Sequence, residues 1–290
     1  MTRKEPTIKS PGIVAVIAAD DKVEAQSLAP TVVDWLTSRH VVVMDEDDLD
    51  GGHNVDAIIV LGGDGLMMHV AHTYPGVPLI GVNFGTVGFL AMAERSRWQE
   101  VLKRILDGDF SIQMGPTLHV TVANRGSQGD QACGLAVNDV AIRAGVRMID
   151  TELYIDRQYV NTYPGDGMIV ATPQGSTAYC MAAGGPILVP GVHGFAITPL
   201  SPHSPIRATL VVSEDNLIEM VITQNRDAQL ILDGKVIRDL QRGDVIRVER
   251  GEPNFNMIML PGMSFFESFR TKFNYLIRPE ADPSLGLDRR

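Results

Sequence analysis

Gly62-Gly63-Asp64-Gly65 follows the apolar run "AIIVL" and precedes "LMMHVAHT", so a glycine-rich turn sits between a strand-like and a helix-like segment. Open α/β sheets bind ligands at that place, beyond the carboxyl ends of their strands. Glycines let a main chain approach phosphate closely. Asp-Gly is also a common turn step. The carboxylate is the anomaly. Two unit charges ~4 Å apart interact by about 4 kcal/mol at an effective dielectric near 20, and for two anions that is repulsion. A carboxylate tolerated at Asp64 therefore has a compensating role, either holding Mg²⁺ or accepting a proton from a hydroxyl that attacks a phosphoryl group.

Three further clusters carry polar groups among glycines. "VNFGTVGFLA" (82–91) reads as a pair of turns or as a second loop facing a nucleotide. Asn138-Asp139 reads as a polar turn, or as a pair suited to ribose hydroxyls, since a carboxylate accepts from both and an amide donates or accepts. "GDGMIVATPQGSTAYCMAAGGP" (165–186) runs from a turn through a short strand into a small-residue loop, with Ser176 and Thr177 placed to cap a helix over "AYCMAA". His69 and His72 stand three apart without a third metal ligand nearby. The Gly-Lys-Ser/Thr of a P-loop, the Rossmann glycine spacing and the Gly-x-Ser-x-Gly elbow are all missing. The thirteen methionines read as core filler.

The elements that must hold these clusters change character along the chain. "GIVAVIAA", "HVVVMDE", "VDAIIVLGG" and "VPLIGVNFG" read as buried strands. They alternate with helical spacing in "KVEAQSLAPTVVDWLTSR" (interrupted at Pro30), after Gly65, and in "ERSRWQEVLKRILDGDF", which stops at Gly108. This is the pattern of a parallel sheet covered on both faces. From about residue 112 short alternating strands follow, with "DRQ" and "LDGK" as hairpin turns, and "SFFESFRTKFNYLIRP" is a lone final helix whose apolar face needs a surface. The fold class expected is an α/β N-terminal domain with a parallel sheet plus a mainly β C-terminal domain.

The bulk numbers bound the rest. The 290 residues are 44% hydrophobic, with a net charge of −10, which argues against nucleic acid as a partner. Cys133 and Cys180 are too few for a disulfide framework or a four-thiolate metal site. The start, "MTRKEPTIKSPG", lacks the apolar core of a signal peptide, and no apolar run is long enough to span a membrane. The expectation is a cytoplasmic protein without a membrane partner.

Taken together, "GGDG" (62–65), "NFGTVGFLA" (83–91), "ND" (138–139) and "GDGMIVATPQGSTAY" (165–179) running into "AAGGP" resemble the NAD kinase family in its bacterial form. "PLSPHS" (199–204) and "LDGK" (232–235) match more weakly, and the resemblance spans roughly residues 12–278. It implies an NAD kinase/diacylglycerol kinase-like fold. The implied parts are an N-terminal α/β domain (12–112) with the final helix (262–278) packing back on it, and a mainly β dinucleotide-binding domain (113–261). Residues 1–11 and 279–290 are expected to be flexible tails. The implied reaction moves the γ-phosphoryl of ATP, or of polyphosphate in its place, to the 2′-hydroxyl of the adenosine ribose of NAD⁺. Mg²⁺ or another divalent cation accompanies ATP, and the family commonly forms homodimers or homotetramers.

The resemblance assigns Asp64 as general base and Gly62, Gly63, Gly65 and His69 as neighbouring dinucleotide contacts. Asn138 and Asp139 match the pair written Asn-Glu or Asn-Asp in that family. Asp166, Thr177, Ala178 and Tyr179 match nucleotide contacts, and Arg147 aligns with a basic or histidine contact. Pro164, Gln174 and Lys235 depart from the family's usual arginine, threonine or serine, and glutamine. They bear on substrate affinity, on the donor and on the choice between NAD⁺ and NADH; Lys235 would add a phosphate contact. A diacylglycerol-type lipid kinase shares the Gly-Gly-Asp-Gly loop but not "TPQGSTAY" with an Asn-Asp pair. A non-catalytic dinucleotide sensor would gain nothing from Asp64.

Overall fold

The computed structural model describes residues 10–50, 54–85, 88–123, 129–203, 205–224 and 227–274. Thr86 and Val87 of the second glycine loop, residues 1–9 and 279–290 of the expected tails, and positions 275–278 of the expected final helix lie outside the described residues. The chain forms two compact units. The first comprises residues up to 67, 79–111 and those from 258 onward; the second comprises 68–78 and 112–257.

In the first unit strands and helices alternate: β1 (Ile13–Ala18), α1 (Val23–Thr37), β2 (Val42–Met44), α2 (Glu46–Asp50), β3 (Ala57–Leu61), the start of α3 (Asp64–Thr73, which passes into the second unit at residue 68), β4 (Leu79–Asn83), β5 (Ala93–Glu94) and α4 (Trp98–Leu106). The strands run parallel in the order β2-β1-β3-β4-β5. Every residue of β3 and β4 is buried, which is why both read as unbroken apolar runs. Helix α4 buries Trp98, Val101, Leu102 and Ile105, at the three- and four-residue spacing of one helical face. Helix α1 runs unbroken through Pro30 rather than stopping there; Ala25, Val32 and Leu36 anchor it in the core while Pro30 is exposed. The expected strand "HVVVMDE" is shorter than its apolar run, because Asp45 Oδ1 accepts the N–H of Asp48 at 2.9 Å and turns the chain into α2.

The second unit is a sandwich of strands: β6 (Ser111–Ala123), β7 (Asp130–Ala136), β8 (Asp139–Ala144), β9 (Ile149–Ile155), β10 (Gln158–Gly165), β11 (Gly167–Ala171), β12 (Gly194–Leu200), β13 (Leu210–Ser213), β14 (Ile218–Ile222), β15 (Ala228–Leu232), β16 (Lys235–Leu240) and β17 (Val245–Met259). The short helix α5 (Tyr179–Ala182) lies between β11 and β12; α6 (Phe265–Asn274), which follows β17, belongs to the first unit. One sheet runs β13-β12-β11-β8-β15-β16; the other contains β10-β9-β14-β17, with β6 bonded to β17 and β7. Both sheets contribute to one buried cluster, including Leu118, Ile142, Met168, Phe195, Met220 and Val248. On the opposite face of the first of these sheets, Ala141, Ile169 and Ala196 pack with Cys180 and Leu188. Strands β8 and β11 are thus covered on both sides. The hairpin turns fall where Asp156-Arg157 and Asp233-Gly234 take positive φ, the conformation that two-residue hairpin loops require. Among the described residues no helix is long and apolar enough to cross a membrane.

Candidate active site

Strand β3 delivers the glycine cluster. The N–H of Gly62 donates to Val82 O at 2.9 Å, carrying the sheet pairing past the last residue of β3. The N–H of Met67 donates to Gly63 O at 3.1 Å, closing the first turn of α3. Asp64 is thereby the first residue of the helix, where unsatisfied N–H groups and the helix dipole favour negative charge.

The second glycine loop meets it there. Asp64 Oδ2 accepts the N–H of Phe89 at 2.9 Å, and Oδ1 accepts those of Leu90 and Ala91 at 3.1 and 3.0 Å. Gly88 makes the approach possible: a Cβ on it would lie 1.8 Å from Asp64 Oδ1. Lys272 of α6 places Nζ 3.5 Å from Oδ2 and 4.2 Å from the centre of the Phe89 ring, which in turn stacks on Phe265. These contacts resolve the anomaly of a carboxylate among glycines. Three amides and an ammonium compensate it, and its side chain stays about a third exposed, at 32%.

The other clusters gather in the second unit. Asn138 lies between β7 and β8, and Asp139 opens β8. The loop after β11 grips their main chain: Thr172 Oγ1 donates to Val137 O at 2.7 Å, and the Thr172 N–H donates to Asn138 O at 2.9 Å. Gly175 passes so close that a Cβ would sit 1.9 Å from Asn138 O. The "TPQGST" loop and the Asn-Asp pair are therefore one construction. Asp139 is buried, at 5% exposure. Burial, and then the charge of Asp233, push its carboxyl up to about 7.

Ser176 and Thr177 do not cap a helix as expected. Helix α5 starts at Tyr179, with Ala178 rather than either hydroxyl residue at its N-cap. Ser176 Oγ is instead 2.6 Å from Pro173 O and accepts the N–H of Leu188 at 2.9 Å, while Thr177 Oγ1 donates to Gln174 O at 3.0 Å. Both side chains fold the loop onto itself, leaving Thr177 and Ala178 half-buried. Tyr179, 37% exposed, lines a cavity of about 880 Å³ with Gly185, Thr198, Pro202 and Arg207, a size that suits part of a dinucleotide. Asp166 is exposed between β10 and β11, its main chain fixed by Leu200 O and the Ala144 N–H. Gly65, His69, Arg147 and Lys235 are exposed, the last two on the β8–β9 loop and at the start of β16; neither Arg147 nor Lys235 enters the knot around Asn138.

His72, which stands three residues from His69 in the sequence, lies with Nε2 2.7 Å from Asp233 Oδ2. Spacing alone does not mark His72, Asp233, Gly88, Thr172 or Lys272 as site residues, because each meets its partner across a long stretch of chain; only "LDGK" points to the neighbourhood of Asp233. Among the described residues no three His, Cys, Asp or Glu side chains converge as a metal cage. Mg²⁺ carried on nucleotide phosphates needs no such cage, since one or two carboxylates with the phosphates suffice.

Known proteins resemble this chain along most of its length. Residues 50–110 match the ATP-NAD kinase N-terminal domain and residues 137–260 the ATP-NAD kinase C-terminal domain. The NAD kinase of Thermomicrobium roseum is 54% identical over 270 residues, covering 93% of each chain. That of Syntrophotalea carbinolica is 35% identical, covering 90% of this chain and 98% of its own. Among solved structures, an NAD kinase from Archaeoglobus fulgidus in complex with ATP superposes with a TM-score of 0.71 at 25% identity, covering 89% of this chain and 99% of that one. Yeast NADH kinase complexed with NADH reaches 0.81 at 18% identity, over 98% and 94% of the two chains, a likeness of fold. The chain belongs to the ATP-NAD kinase family.

Proposed function

We propose that this chain transfers the γ-phosphoryl group of Mg²⁺-bound ATP to the 2′-hydroxyl of the adenosine ribose of NAD⁺, yielding NADP⁺ and ADP. Asp64 is the general base. The observation that carries this reading is the setting of that carboxylate in a chain of the kinase family. Three amides of residues 89–91 fix its plane; Oδ2 accepts only one of them, and its other near neighbour, Lys272 Nζ at 3.5 Å, stands too far for a close hydrogen bond, so a hydroxyl can approach that oxygen. The 2′-hydroxyl gives its proton to Oδ2 as its oxygen bonds to the γ-phosphorus and the bond from that phosphorus to the β–γ bridging oxygen breaks. ADP leaves with the bridging oxygen. Mg²⁺ carried on the ATP phosphates would supply shielding of their charge.

Asn138 and Asp139 hold ribose hydroxyls, and Tyr179 faces a base or nicotinamide ring across its cavity. Asp166, Thr177, Ala178, His69 and the glycines 62, 63 and 65 complete the dinucleotide contacts, and Arg147 and Lys235 offer positive charge to phosphate. Phosphoryl transfer draws most of its rate from positioning and charge stabilisation, and a general base adds about 10²–10⁴-fold.

NADP⁺ formation from NAD⁺, ATP and Mg²⁺ by purified protein, with Asp64→Asn alongside, tests the reading. The expected result is turnover by the wild type and a loss of about 10²-fold or more in kcat with NAD⁺ binding retained. No NADP⁺ from a wild type that binds NAD⁺ would make the chain a dinucleotide sensor. No NAD⁺ binding at all would direct the assay to lipid acceptors.

A further inference from the structure

Asp233 has no part in the reaction above, yet its carboxylate is among the most heavily bonded in the described structure. It stands first in the two-residue turn between β15 and β16, and its side chain is only 3% exposed. An aspartate in such a turn needs nothing but solvent. Here Oδ2 accepts the N–H of Val137 at 2.7 Å, and Oδ1 accepts those of Asn138 and Asp139 at 2.7 and 2.8 Å. Its own N–H donates to Asp139 O at 3.0 Å.

With the two bonds from Thr172, every main-chain N–H and C=O of Val137, Asn138 and Asp139 is bonded to Asp233 or Thr172. Three successive amides converging on one anion form a nest, which fixes φ and ψ at each residue contributing to it. The cost of this arrangement is electrostatic. Asp233 brings a second carboxylate beside the buried Asp139; besides the three amides, His72, with Nε2 at 2.7 Å and 24% exposure, is the side chain that stands against it among the described residues.

We propose that Asp233, itself oriented by His72, is a positioning residue that sets Asn138 and Asp139 for the ribose of the bound dinucleotide. This rests on reading those two residues as ribose contacts. It makes the aspartate of "LDGK", rather than Lys235, the member of that motif on which dinucleotide affinity depends. The logic is that of an outer shell around a binding group: the ligand touches Asn138 and Asp139, and Asp233 determines where they point.

The test uses the full-length protein, with NAD⁺ affinity by calorimetry, steady-state kinetics for both substrates and Tm. Asp233→Asn turns one acceptor into a donor facing the amides. It is expected to raise Kd for NAD⁺ about tenfold or more, while KM for ATP and kcat stay within about threefold. His72→Leu is expected to weaken NAD⁺ in the same direction. His72→Gln, whose amide can donate to the same oxygen, is expected to stay within about threefold of the wild type. Asn138→Ala is the control for the underlying reading.

If Asn138→Ala weakens NAD⁺ while folded Asp233→Asn does not, the positioning role is overturned and the ribose reading stands. If Asn138→Ala leaves NAD⁺ binding unchanged, the ribose reading fails first. A parallel loss for NAD⁺ and ATP with a fallen Tm in Asp233→Asn marks a structural residue and also overturns the proposal. Should Asp233→Asn not fold, the histidine pair decides: His72→Leu binding NAD⁺ like His72→Gln overturns it.

Discussion

Asp139 is a carboxyl whose ionisation the fold resists, and that has a measurable sign. Its value in the folded chain is raised to about 7, above that of an unfolded aspartate near 3.9. Between those two values the folded form keeps a proton that the unfolded chain has released, so this residue's contribution falls as pH rises from about 4 to about 7 and is fully lost above. Asp139→Asn should therefore gain Tm relative to the wild type as pH is raised from 5 to 8; a constant difference across that range would contradict the burial argument. In the proposed ribose contact an ionised Asp139 would accept from two hydroxyls where its acid form accepts less well, so wild-type affinity for NAD⁺ should tighten over the same range. Lys272 sits at the opposite extreme. Both it and Asp64 are about a third exposed, at 34% and 32%, and water screens the pair. Lys272→Met should lower kcat/KM no more than about fivefold, with the effect shrinking toward nothing in 1 M salt. Motif resemblance points to Asp64, Asn138 and Asp139 directly. Their partners stay hidden in the sequence because Lys272 and Asp233 look like ordinary surface and turn residues until tertiary structure brings them to a carboxylate or a row of amides.

Loops rather than strands or helices carry the tight tolerances. The turn at Gly88 admits no side chain, since a Cβ would fall inside the Asp64 carboxylate. Gly88→Ala should therefore push the carboxylate aside by about an ångström, and a misplacement of that size costs about 10²-fold in rate. Activity should collapse with little change in Tm, because the site and not the core takes the strain. Gly175→Ala presses on main chain instead of a movable side chain, 1.9 Å from Asn138 O. It should cost about 1–3 kcal/mol of stability, read as a lower midpoint in urea, together with weaker NAD⁺ binding. The strands of the first unit are legible in the sequence because β3 and β4 are buried on both faces and carry no polar residue before Asn83. Helix α1 is not legible at Pro30: local propensity marks a break there, but buried anchors on either side of the proline outweigh one missing hydrogen bond. The caps expected at Ser176 and Thr177 fail for a related reason. Their hydroxyls find closer carbonyl and amide partners within the loop.

Each unit has its own buried core, so damage should be local in origin. Phe195 in the second and Leu102 in the first are 0% and 2% exposed. Phe195→Ala and Leu102→Ala should each cost about 2–5 kcal/mol, and urea titrations followed by a probe in each unit would report whether the loss is shared. The change in strand pattern near residue 112 marks the main division of the chain. That 68–78 groups with the second unit is not visible in composition. The reason lies in contacts made far along the chain: Asn256 Nδ2 donates to Gly76 O at 2.8 Å, Pro253 packs against Gly76, and His72 meets Asp233.

The interleaving of segments also sets an order of events during synthesis. The second unit is made of residues 68–78 and 112–257, whereas the first includes residues from 258 onward. Ile258 and Leu260, 1% and 5% exposed, belong to its core, and Lys272 is the cation beside Asp64. A ribosome must therefore deliver almost the entire message before the α/β sheet gains its last buried side chains and Asp64 its counter-charge. A nascent or prematurely terminated polypeptide would carry the loop around Asp64 without the buried Ile258 and Leu260 or the Lys272 ammonium, so the first unit is completed only as the chain nears its end.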